Sequence, residues 1–75
     1  MTKRYGASRL VMRNVVVGGK RTSIRLEPEF WAELERQATA RTLSVHRIVS
    51  EIHANYPDYA LTSSVRVWLL GEAVR

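Results

Sequence analysis

The chain contains no cysteine, only two prolines and four glycines, and a single phenylalanine beside two tryptophans and three tyrosines. Without cysteine, a disulfide framework and every thiolate metal site are excluded. No stretch approaches the ~20 consecutive apolar residues that cross a bilayer. The opening residues, Met1 to Gly6, lack the apolar run of a secretory signal. A cytoplasmic protein with no membrane partner is therefore expected. A chain of 75 residues has room for one small core and none for a multi-part active site, so no enzymatic activity is expected. With so little interior, association with a second copy is the readiest additional support.

Acid is missing where base is abundant. Seven of the 12 Lys and Arg residues (Lys3, Arg4, Arg9, Arg13, Lys20, Arg21 and Arg25) lie in the first 25 positions, which hold no Asp or Glu. The other 50 positions carry five basic and seven acidic groups, so the net charge of +5 is a +7 front and a −2 back. Such asymmetry fits a solvated, solubilising segment or a face that meets a polyanion. Nucleic acid is the first candidate partner. A membrane surface ranks last, because the basic segment is strand-like rather than an amphipathic helix.

Residues 1–12 mix basic, small and glycine residues without a period and read as a flexible basic arm, which leaves residues 13–75 as the folded domain. Arg13 to Val17 is short and β-branched, Gly18-Gly19 follows, and Lys20 to Leu26 resumes an extended pattern. Two strands around Gly-Gly predict a hairpin, since the favoured two-residue turns need positive φ and glycine supplies it. In that register Val17 faces Lys20, Val15 faces Thr22, and Asn14 faces Ser23. Along the second strand Thr22, Ile24 and Leu26 point one way, and Arg21, Ser23 and Arg25 the other.

Pro28 at a first helical position, flanked by Glu27 and Glu29, opens a helix expected over about 28–41, with Phe30, Trp31, Leu34 and Ala38 as its apolar stripe. Ser44 is a good N-cap for a second helix carrying Val45, Ile48, Val49 and Ile52, ended near Asn55 by Pro57. A third helix is expected after Thr62 or Ser63, turning Val65, Trp68 and Leu69 inward and ending between Gly71 and Val74.

Other chemistry is poorly supplied. His46 and His53 share a helix face but have no suitably spaced third ligand, so no metal is expected, and no cofactor. Ser50, Glu51 and His53 are catalytic residue types without a nucleophile and base geometry. Gly18-Gly19-Lys20 is followed by a strand, not by the helix a phosphate-binding loop requires. Trp31 and Trp68 sit on apolar stripes and read as core rather than as base-stacking platforms. What remains is the row Arg21, Ser23 and Arg25, spaced about 6.6 to 6.8 Å along a strand. It offers bidentate donors for guanine and a hydroxyl that donates or accepts. The same row also fits a charged strand edge kept soluble.

The order strand, helix, short turn, capped helix over residues 20–55 resembles the ribbon-helix-helix superfamily of MetJ, Arc and CopG. Arg21 to Pro28 carry the ribbon, and Leu43-Ser44-Val45 with Ile48, Val49 and Ile52 carry the second helix. The run Arg21 to Trp31, the Leu43-Ser44 start and the late Thr62 to Leu70 segment look like a group of small bacterial ribbon-helix-helix proteins, over about residues 12–70. The resemblance implies an α+β homodimer whose residues 21–26 pair antiparallel between copies and enter the major groove of double-stranded DNA. It places Arg21, Ser23 and Arg25 on base-reading positions. Phosphate binding would fall to Leu43, Ser44 and Val45 at a helix N-terminus, with Lys20 and Arg13 beside them. The dimer core would comprise Thr22, Ile24, Leu26, Leu34, Ile48, Val49 and Ile52. The implied function is sequence-specific DNA binding in transcription regulation, with higher-order assembly of dimers on DNA left open. The alternatives are a protein-interaction module, antitoxin-like or adaptor, in which the C-terminal helix holds a protein partner, and a nonspecific nucleic-acid binder. Three features depart from the family pattern: the extra strand, which could flank the ribbon; Thr42 where a turn glycine is usual; and the third helix, an expected addition to the core or dimer surface.

Overall fold

The computed structural model describes residues 9–73. The order is β1 (Val11–Val17), β2 (Lys20–Leu26), α1 (Pro28–Ala40), α2 (Val45–Asn55) and α3 (Leu61–Ala73). The strands form an antiparallel hairpin in which Val17 opposes Lys20, Asn14 opposes Ser23 and Val11 opposes Leu26, as the Gly-Gly turn predicts. Gly18 and Gly19 have φ of +60° and +81°, the two left-handed residues of a type I′ turn, whose twist matches that of the strands.

Strand β1 begins at Val11, two residues earlier than the composition suggested, so the expected arm gives up its last two positions to the sheet. The hairpin register pairs Met12 with Arg25 and Val11 with Leu26 at the end of β2, and the Trp31 indole nitrogen donates to the Val11 carbonyl at 2.8 Å. Of the rest of that arm, Arg9 and Leu10 are exposed and precede the strand, and residues 1–8 lie outside the described residues.

The three helices pack on one face of the hairpin. Val15, Ile24 and Leu26 from the sheet meet Trp31, Leu34 and Ala38 from α1, Ile48, Val49 and Ile52 from α2, and Val65 and Leu69 from α3, all at most 3% exposed. Val65 and Leu69 thus make α3 part of this core. It starts at Leu61, ahead of the expected caps: Thr62 and Ser63 lie inside its first turn, and the Ser64 amide bonds to the Ala60 carbonyl. Glu27 and Arg66 join the β2–α1 corner to α3 at 3.0 Å. The Arg66 guanidinium holds the Glu27 carboxyl below its ordinary range.

Six of the seven residues expected in a dimer core (Ile24, Leu26, Leu34, Ile48, Val49 and Ile52) are buried within one chain, and only Thr22 is half-exposed. The extra strand and third helix supply the cover. The apolar character of these six is therefore accounted for without a second copy.

Helix α1 ends in a Schellman arrangement: the Leu43 amide donates to the Ala38 carbonyl at 2.8 Å, and the Thr42 amide to the Thr39 carbonyl at 3.0 Å. That geometry needs a left-handed residue at position 42, and Thr42 adopts it with φ +58°. A β-branched side chain occupies a conformation that favours glycine.

Candidate nucleic-acid interface

The outward face of the hairpin carries two columns. Strand β2 contributes Arg21, Ser23 and Arg25, and opposite them β1 contributes Val16, Asn14 and Met12. All six are exposed. Ser23 Oγ donates to Asn14 Oδ1 at 2.7 Å across the strands. The sequence shows this pairing as a register, and only the structure makes Asn14 part of the site.

Charge pairing sorts the cations. Arg13, Arg41, Arg47 and Arg66 pair with Glu35, Glu72, Glu51 and Glu27 at 2.6, 3.5, 2.9 and 3.0 Å, and Arg36 pairs with Glu33. Lys20, Arg21 and Arg25 make no ion pair among the described residues, and neither does Arg9 ahead of β1. Three of these four unpaired cations therefore lie on β2, which itself holds no acid.

Arg13 belongs to the opposite face. It shares the helix side of the sheet with Ile24, lies 4.6 Å over the Trp31 ring and pairs with Glu35. The structure therefore brings Arg21, Ser23 and Arg25 together, with Lys20 at the adjoining turn, but does not bring Arg13 to them.

The expected phosphate-binding residues lie at the start of α2. Ser44 caps that helix, its hydroxyl accepting from the Arg47 amide at 3.0 Å. The Leu43 amide is taken by the Ala38 carbonyl, so it cannot also hold an anion. The Ser44 and Val45 amides have no hydrogen-bond partner among the described residues and stand at the positive end of the α2 dipole.

The two edges of the hairpin differ. A two-residue turn makes Val17 and Lys20 a hydrogen-bonded pair, so the N–H and C=O groups of Met12, Asn14 and Val16 point out from β1, and those of Arg21, Ser23 and Arg25 out from β2. At Val16 helix α2 covers the β1 edge: the Val16 amide donates to His46 Nδ1 at 3.0 Å, and Ser50 Oγ donates to the Val16 carbonyl at 3.3 Å. On β2 the edge groups have no partner among the described residues. His46 and Ser50 thus serve the sheet edge, a role no sequence spacing suggested. Trp31 is buried in the core, and Trp68 is half-buried beneath Arg41.

Residues 10–73 match the ribbon-helix-helix domain family along nearly the whole described chain. The chain belongs to this family. Ribbon-helix-helix domains generally bind DNA as dimers in transcription regulation and are typically not enzymes. No curated protein and no solved structure matches the chain significantly. No helix among the described residues is long and apolar enough to cross a membrane.

Proposed function

We propose that this ribbon-helix-helix protein is a homodimeric, sequence-specific DNA-binding protein that acts in the cytoplasm as a transcription regulator. The observation that carries the reading is the uncompensated charge of Arg21 and Arg25 on the outward face of β2, with unpaired Lys20 beside the turn, whereas the five arginines at positions 13, 36, 41, 47 and 66 are paired with acids. A strand row of two arginines and a serine has the vocabulary of major-groove readout. Lys20 and the Ser44 and Val45 amides supply phosphate contacts.

Dimerisation through the β2 edge is favoured because α2 occupies the β1 edge at Val16 and, among the described residues, no element occupies that of β2. Two copies pair β2 to β2, giving a four-stranded sheet with β1 outermost on each side. The outward-pointing groups of Arg21, Ser23 and Arg25 all find partners when Ser23 lies on the two-fold axis and Arg21 opposes Arg25 of the partner subunit. Thr22, Ile24 and Leu26 then line the underside of the joined strands.

The test is binding-site selection from random duplexes at fixed salt, with Arg21→Ala/Arg25→Ala beside the wild type. Each lost bidentate contact weakens the selected site by roughly 1–3 kcal/mol while the dimer persists in solution. Selection of the same sequence by the double variant would refute base reading by β2.

A second reading, in which the ribbon chiefly dimerises and α3 holds a protein partner, is favoured by the exposure of Val67 and Leu70. It predicts a wild-type dimer that enriches no sequence.

A further inference from the structure

The bond between Asn14 and Ser23 lies at the centre of the outward face and ties the extra strand to the row of Arg21, Ser23 and Arg25. A serine hydroxyl has one proton and two lone pairs. In this structure the proton is spent on Asn14 Oδ1, so what Ser23 turns outward is an acceptor.

Asn14 itself is displaced from the dyad. In a four-stranded sheet the outer strands lie about 7 Å from the axis, at ~4.8 Å between neighbours. The major groove is about 12 Å wide, a half-width of about 6 Å. Strand β1 therefore runs over the groove wall, and Asn14 acts on the bases through Ser23.

We infer that Asn14 is a positioning residue that fixes Ser23 as a hydrogen-bond acceptor, so that the ribbon centre selects a base with an exocyclic amino donor, cytosine or adenine, and refuses guanine and thymine at that place. The inference rests on the DNA-reading function proposed above and deepens it. Cytosine N4 and adenine N6 carry the donors, whereas guanine O6 and N7 and thymine O4 only accept. A base without a donor there faces lone pair against lone pair.

The experiment is quantitative site selection at fixed salt with wild type, Asn14→Ala and Asn14→Asp. The wild type is expected to prefer cytosine or adenine over guanine or thymine at one position in each half-site nearest the dyad, by roughly 2- to 12-fold, the worth of one hydrogen bond. Asn14→Ala frees the hydroxyl to donate or accept, and the preference at that position alone disappears. Asn14→Asp keeps an acceptor for the Ser23 proton, so the preference returns at lower overall affinity, because a carboxylate now faces the phosphates. A structural role for Asn14 would give no such rescue. Unchanged preference in Asn14→Ala overturns the inference and leaves DNA reading intact, as does a wild-type preference for guanine or thymine at that position. A wild type that enriches no sequence overturns both.

Discussion

The Val16 amide donates to His46 Nδ1 across 30 positions of sequence, at 3.0 Å, and so binds α2 to the end of the β1 edge. With Ser50 on the Val16 carbonyl, it satisfies both outward backbone groups of a residue that otherwise offers a template for strand addition. The double variant His46→Ala/Ser50→Ala is expected to lose about 1–3 kcal/mol, two hydrogen bonds at ~0.5–1.5 kcal/mol each. It should also form higher oligomers through the uncovered edge. Denaturant titration and size-exclusion chromatography over a concentration series read both effects; an unchanged midpoint would show that α2 does not guard this edge.

Thr42 is held left-handed by the closing bonds of α1. Relief of that strain is worth about 1–2 kcal/mol, and glycine gives back roughly 0.5–1 kcal/mol in chain entropy. Thr42→Gly should therefore stabilise the domain by up to about 1.5 kcal/mol, visible as a higher thermal midpoint. A lower midpoint would mean that the threonine side chain contributes more than its backbone costs.

The hairpin turn predicts the opposite sign. No atom lies within 4 Å of a Cβ built at Gly18 or Gly19, so only the backbone resists substitution. Gly18→Val should destabilise by at least about 1–2 kcal/mol, whereas Gly18→Asn should be nearly neutral, since asparagine tolerates this conformation in type I′ turns. Equal losses in the two variants would point to a steric cause instead.

Glu27 links acid sensitivity to the α3 corner. Its carboxyl titrates below the ordinary 4.5, first because of the Arg66 hydrogen bond. A depressed folded-state value adds stability that is full above the unfolded value and fades as pH falls through the folded one. The pair is about one-third exposed, so solvent screening limits its worth to ~0.2–1 kcal/mol. Glu27→Gln should be less stable than wild type at neutral pH, and the gap should close below about pH 4.5. A gap that persists undiminished at acid pH would assign the loss to packing.

Phosphate contact by Lys20 has a salt signature. Lys20→Gln should weaken binding to all duplexes alike and reduce the slope of log K against log salt by about 1. A change in the selected sequence would instead make Lys20 a base reader.

Local chemistry alone determined much of this protein. Gly18-Gly19 set the hairpin register, Pro28 and Ser44 started two helices where the apolar period demanded them, and alternation put Arg21, Ser23 and Arg25 on one face. Each of those outcomes depends on neighbours within a few residues, so the sequence carries it directly. Tertiary structure decided which of the chain's basic side chains remain uncompensated, because the carboxylates that neutralise Arg13 and Arg66 lie 22 and 39 positions away. It also decided that the β1 edge is covered at Val16 and that six apolar residues are buried within one chain. These depend on how α2 and α3 dock against the hairpin, and docking is set by the packing of the whole core rather than by any local pattern.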